Sequence, residues 1–149
     1  MRPITALVVL MVAATGCAPA LSPLYRDYRV ETDSGNDVYA RIERALVASE
    51  WTVTDGLTDN VVATEPRTFR SWGLYTVEIE LEVVPLAGNH VRVLVHPYRH
   101  FYQGTRRKVP YLRKSWARSA IKGLTEELES EGLAYEGTAM QRVRDAGVR

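Results

Sequence analysis

The longest regular pattern in the chain runs from Tyr75 to Val84, where Tyr75, Val77, Ile79, Leu81 and Val83 alternate with Thr76, Glu78, Glu80 and Glu82. Successive side chains of a strand point to opposite faces, so this spacing predicts one apolar face in the core and a glutamate ladder that meets water or a partner. Pro85 to Asn89 reads as a turn, after which Val91, Val93 and Val95 resume the apolar parity with Arg92, Leu94 and His96 outward. Pairing Val83 with Val91 keeps the apolar sets together and sets Glu82 opposite Arg92 and Glu78 opposite His96.

Elsewhere the period is helical. Val38, Ile42, Ala45, Leu46 and Ser49 share a stripe, with Arg41, Glu43, Arg44 and Glu50 on the remainder, and Ser34-Gly35-Asn36-Asp37 has the spacing of a capping box. A second helix is expected from Tyr111 to Ser130, presenting Leu112, Trp116, Ala117, Ala120, Ile121, Leu124 and Leu128 on one broad face and stopping at Gly132. Leu24 to Thr32, Trp51 to Thr54 and Asn60 to Glu65 are shorter β-prone runs. Phe69 to Tyr75 sets bulky aromatics at the start of the long strand, either under the helices or at a hairpin tip that touches lipid or a partner. The order of elements predicts an α+β two-layer sandwich, an antiparallel sheet of four to five strands with two helices on one face.

The first 16 residues do not belong to that pattern. Met1 and Arg2 are followed by an apolar stretch from Ile4 to Ala14, and then by Ala14-Thr15-Gly16-Cys17. The stretch is well short of the about 20 apolar residues that span a bilayer but long enough for a signal peptide. Ala14 to Cys17 resembles the lipobox of bacterial lipoproteins, departing from its commonest form in having Ala14 where leucine is usual. The resemblance implies cleavage between Gly16 and Cys17 and acylation of the Cys17 thiol. Cys17 is the only cysteine, so no disulfide can form within the chain. Acyl chains at about 0.8 kcal/mol per buried methylene would hold such a domain to a membrane without a spanning helix. Ala18 after the cysteine, by the same resemblance, favours the periplasmic face of the outer membrane. The organisation expected is thus a signal peptide over 1–16, a lipidated tether over 17–23 containing Pro19 and Pro23, one domain over 24–132, and a flexible tail over 133–149.

The composition, 46% hydrophobic and 25% charged, is that of an ordinary folded domain. Lys and Arg number 19 against 18 Asp and Glu, and with Arg2 in the leader the remainder is balanced, so only the distribution of charge is informative. That distribution is uneven. Between Val83 and Thr125 there is no aspartate or glutamate, while Arg92, Arg99, Arg106, Arg107, Lys108, Arg113, Lys114, Arg118, Lys122 and all three histidines fall there. Glu126, Glu127, Glu129 and Glu131 crowd the far end of the second helix. This polarity opposes the helix dipole, at about 0.3–1 kcal/mol per misplaced surface charge, and a local rule broken without structural return points to function. Arg106, Arg107, Lys108, Arg113, Lys114, Arg118 and Lys122 are the candidates for binding an anion or an acidic partner.

Other chemistry finds less support. His96 and His100 would stand about 13 Å apart on one strand, too far to share a zinc ion whose ligands sit about 2 Å away. No metal or other cofactor is expected. Glu78, Glu80 and Glu82 succeed one another at about 7 Å on a wet face that offers no desolvation to separate an acid from a base. Nucleophile-elbow, phosphate-loop and dinucleotide motifs are absent, so no catalytic residue is assigned.

A lipobox followed by a helix, an antiparallel sheet and a closing amphipathic helix resembles the accessory lipoproteins of outer-membrane biogenesis, of the lipopolysaccharide-assembly and barrel-assembly types. The likeness covers Leu24 to Gly132 in order of elements and carries over no functional residue. Taken with the anchor, the basic region around Arg106 to Lys122 leads us to expect a non-enzymatic envelope lipoprotein that binds anionic lipid, lipopolysaccharide, an anionic glycan or an envelope protein there, nucleic acid being a poor partner outside the cytoplasm. The alternatives are a structural subunit docking by its exposed sheet face or edge, and an enzyme acting on envelope glycans.

Overall fold

A computed structural model describes residues 24–31, 38–56, 58, 60–110 and 114–147. The expected leader and tether, the expected capping box at Ser34 to Asp37, and Tyr111 to Arg113 lie outside the described residues. The central feature is a hairpin of two long strands, β5 (Tyr75–Leu86) and β6 (His90–Phe101). Around it lie β1 (Tyr25–Val30), β2 (Val53–Asp55), β3 (Val62–Thr64), β4 (Arg67–Trp72), β7 (Arg106–Lys108) and β8 (Leu133–Gly137). The helices are α1 (Val38–Ala48), α2 (Lys114–Ser130) and α3 (Ala139–Gly147).

The architecture is α+β with an antiparallel sheet ordered β2-β3-β5-β6-β1-β8. β4 extends the β3 edge along β5, and β7 extends the β1 edge along β6. The Thr64 hydroxyl bridges the β3–β4 break by accepting from the backbone N–H of Leu81 at 3.0 Å. Eight strands and three helices among the described residues exceed the four to five strands and two helices expected. β4 and β7 were missed because arginines and lysine occupy their faces and leave no apolar alternation to read.

The alternation along β5 and β6 holds. Val77, Ile79, Leu81, Val83, Val91, Val93 and Val95 are buried, and α1 and α2 close over this face with Ile42, Ala45, Leu46, Ala120, Ile121, Leu124 and Leu128. The hairpin register is a correction. Val83 pairs with Val93, not Val91, so Glu82 faces Leu94 and Glu78 faces Tyr98. Leu86 pairs with His90 across a loop at Ala87 to Asn89 in which Gly88 and Asn89 are left-handed, φ 77° and 59°. Gly and Asn are the residues that tolerate that conformation, so they centre the loop on Gly88. A slip of two residues leaves every side chain on its expected face, which is why alternation could not detect it.

Two further expectations are overturned. Arg41, placed on the wet side of α1, is buried. Its guanidinium bonds the Glu131 carbonyl beyond the end of α2, a site that exists only when the helices pack. Leu133 to Gly147, read as a flexible tail, forms β8 and α3. Leu133 is fully buried opposite Val30, and Gln141 and Thr138 cap α3 reciprocally through Thr138 N to Gln141 Oε1 (2.8 Å) and Gln141 N to Thr138 Oγ1 (3.2 Å). Leu133 is the only large aliphatic residue of β8, and without apolar alternation it is too weak a sequence signal for an edge strand.

Candidate functional site

Two surfaces carry the charge clusters. On the sheet face away from α1 and α2, the glutamate ladder is not bare. Glu82 bonds His96 Nε2 at 2.9 Å and Glu78 bonds His100 Nδ1 at 2.8 Å. Arg106 Nη2 donates to Glu80, its Nε lies 3.4 Å from Glu78, and its guanidinium stacks 3.6 Å from the centre of the Tyr98 ring. Burial, together with the adjacent Glu80 charge, pushes the Tyr98 phenol upward. At the other end of the same face, Asp27 is held by Arg92 at 2.7 and 3.1 Å and by Arg142 of α3 at 2.8 Å. Glu136 meets Arg29 at 2.9 Å and His90 at 3.3 Å. All three histidines therefore sit on one sheet face, each against a glutamate.

The second surface is the end of the sheet formed by the β4–β5 turn at Gly73 and Leu74 and the β6–β7 turn at Tyr102 to Thr105. Here pairing aligns Arg70 of β4 with Val77, Val77 with Arg99, and Arg99 with Arg107 of β7. The next row holds Trp72, Tyr75 and Phe101, the last two with ring centres 5.5 Å apart, and Arg99 lies 5.1 Å over the Tyr75 ring. Arg107 and Lys108 are exposed, and no described carboxylate lies within ion-pairing distance of either. Like charges directly across a strand pair destabilise a sheet, so folding alone gives no reason to set Arg99 opposite Arg107.

The candidate residues divide accordingly. Arg106, Arg107 and Lys108 come together in β7, but Arg106 turns to the glutamates. Lys122 is exposed on α2. Lys114 and Arg118 occupy the first two turns of α2, their side chains outside the description. Gly16, Cys17 and Arg113 lie outside the described residues. α2 ends at Glu131 and Gly132, whose carbonyl accepts from Glu31 N beside β1, at the opposite end of the sheet from the Leu74 and Tyr102 turns. Its 17 residues are about 25 Å long, and Ser119 and Ala120 border the cleft shared with Phe69 of β4, so the helix runs from its glutamate end back toward the Leu74 side.

The acidic end of α2 has its own compensation. Arg44 Nη2 pairs with the Glu131 carboxylate at 2.7 Å, and that hydrogen bond holds Glu131 below the usual carboxylate range. The cations absent from the last turn of α2 are supplied by α1. Sequence reading missed Asp27, Arg92 and Arg142, whose mutual approach depends on strand order.

Among the described residues there is no group of three or more potential metal ligands, and no helix long and apolar enough to cross a membrane. An open cleft of about 360 Å³ lies between α1, β4 and α2, with Trp51, Phe69 and Gly123 in its wall. Trp51 stacks on Phe69 and under Arg67, so the cleft is lined by core aromatics already in contact with one another. No protein-family model matches the chain, and no curated protein matches it.

Proposed function

We propose that the chain is an envelope lipoprotein, held by acyl chains on Cys17 at the periplasmic face of the outer membrane, whose domain binds an anionic ligand through its basic edge without transforming it. The observation that carries the binding part is the apposition of Arg99 and Arg107 on one face of the β6–β7 edge, with exposed Lys108, paired to Tyr98, on the other face of the same edge strand. Cations gathered at a cost to the sheet form a surface for phosphate or carboxylate groups. A binding role fits the glutamate ladder better than catalysis does. Its carboxylates are engaged by Arg106, His96 and His100 on an open face, leaving no pair that encloses a substrate.

The test is the triple reversal Arg107→Glu, Lys108→Glu and Lys122→Glu, which spares Arg106 because that residue serves Glu78 and Glu80. Near an anionic leaflet each cation is worth about 1 kcal/mol, so affinity for phosphatidylglycerol vesicles or lipopolysaccharide should fall about a hundredfold or more with circular dichroism unchanged. Unaltered binding rejects the basic edge. A protein partner retained after the reversals favours docking by the sheet face instead. The anchor is tested separately: Cys17→Ser should leave the leader uncleaved and the chain without acyl groups, and normal maturation and partitioning of that variant would refute it.

A further inference from the structure

We infer that the Leu74 and Tyr102 turns form a membrane-contacting tip, which lies against the anionic bilayer that holds the anchor. The inference rests on the lipoprotein and basic-edge reading and adds to it an orientation and an apolar contact.

The two turns share one end of the sheet because Trp72 pairs with Tyr75 and Tyr75 with Phe101. Leu74 is 78% exposed and Tyr102 67% exposed. Around them, Pro66 to Thr76 and Pro97 to Pro110 contain no aspartate or glutamate, while Arg70, Arg99, Arg107 and Lys108 lie there. An isolated leucine and tyrosine on separate turns are too little apolar surface for the core of a protein interface. Such side chains backed by cations suit the headgroup boundary, where apolar groups insert and Lys and Arg remain with phosphates.

The path of the chain supports the same orientation. β1 runs antiparallel to β6, so the chain enters β1 from the tip side, and Leu24 O accepts from Val95 N at 2.8 Å. From Val95 to Phe101 the strand advances about 20 Å. Cys17 to Leu24 can reach at most about 25 Å. A tether of that length leaves on the tip side with just enough reach to bring Cys17 level with Leu74 and Tyr102. The end-to-end charge polarity of α2 follows the same axis, with its basic turns toward the bilayer and its glutamates away.

The experiment uses the full acylated protein in vesicles, spin-labelled singly at Leu74→Cys, at Tyr102→Cys, or at Ala87→Cys in the hairpin loop at the opposite end. In phosphatidylglycerol vesicles the first two labels should be shielded from an aqueous relaxant and exposed to oxygen, with the Ala87 label aqueous throughout. Adding Arg107→Glu and Lys108→Glu should weaken this contact about fivefold per cation. Tip labels that stay aqueous while the protein floats with the vesicles overturn the tip and leave the anchor standing. Failure to float overturns the anchor reading itself. Equal shielding in phosphatidylcholine vesicles overturns the role of the basic edge in the contact, and shielding that requires added polyglutamate overturns the bilayer in favour of an acidic protein.

Discussion

Arg41 donates through Nε to the main-chain carbonyl oxygen of Glu131 at 2.6 Å, so a buried guanidinium on one helix terminates another. This bond satisfies a carbonyl at the negative end of α2 and ties the two core helices together on the sheet. Arg41→Met keeps most of the aliphatic packing and removes the charge-assisted bond, at an expected cost of about 2 kcal/mol in denaturant unfolding. Arg44→Ala breaks an exposed pair and should cost less than about 1 kcal/mol. Equal costs would show that the carbonyl contact is not the stronger tie.

Asp27 is 4% exposed between Arg92 and Arg142. Burial raises its pKa, but the hydrogen bonds and charges of the two arginines outweigh burial and hold the carboxyl below its ordinary range. A depressed native pKa contributes stability that is fully present above the unfolded value of about 3.9 and is lost as pH falls through the native value. Urea midpoints should therefore decline from about pH 5 downward. Asp27→Asn should lower stability at neutral pH by about 1–2 kcal/mol, because partly exposed Arg92 loses its carboxylate and Arg142 keeps only Glu136, and should flatten the acid limb. An acid limb of unchanged steepness in that variant would assign the titration elsewhere.

Glu50 ends α1 in a left-handed conformation, φ 63°, with Trp51 N donating to Leu46 O and Glu50 N to Val47 O. Glycine is favoured at this position of such a cap, since a side chain there strains the backbone by about 1 kcal/mol. Glu50→Gly should stabilise the domain by about that amount and raise the thermal midpoint by a few degrees. The lost pair with Arg67 is exposed on both sides and offsets little. A lower midpoint would mean that the pair outweighs the strain.

Leu133 has no exposed surface, and β8 covers the free edge of β1. Leu133→Ala should cost about 3 kcal/mol, the usual loss for a fully buried leucine. Truncation after Gly132 also removes Arg142 from Asp27 and uncovers the β1 edge, and should give a less stable, aggregation-prone chain. A truncated form with an unchanged unfolding midpoint would make β8 and α3 dispensable.

What could be read from the residues depended on whether the relevant contact was local. Tyr75 to Val95 was legible because a period of two follows from the geometry of a single strand, and Gly132, φ 76°, was legible as a helix stop because a left-handed cap is a local requirement. The segregation of Arg106 to Lys122 from Glu126 to Glu131 was likewise visible in linear order.

By itself, then, the sequence determined the α+β class, the inward and outward faces of β5 and β6, the two core helices and the concentration of positive charge. Tertiary structure decided which charges are spent. It turned Arg106 onto Glu78 and Glu80, buried Arg41 at the end of α2, gathered Asp27, Arg92 and Arg142, and set Arg107 across from Arg99. The physical reason is range. Periodicity and capping act over a few residues, whereas these pairs join positions brought together only by strand order, register and helix packing.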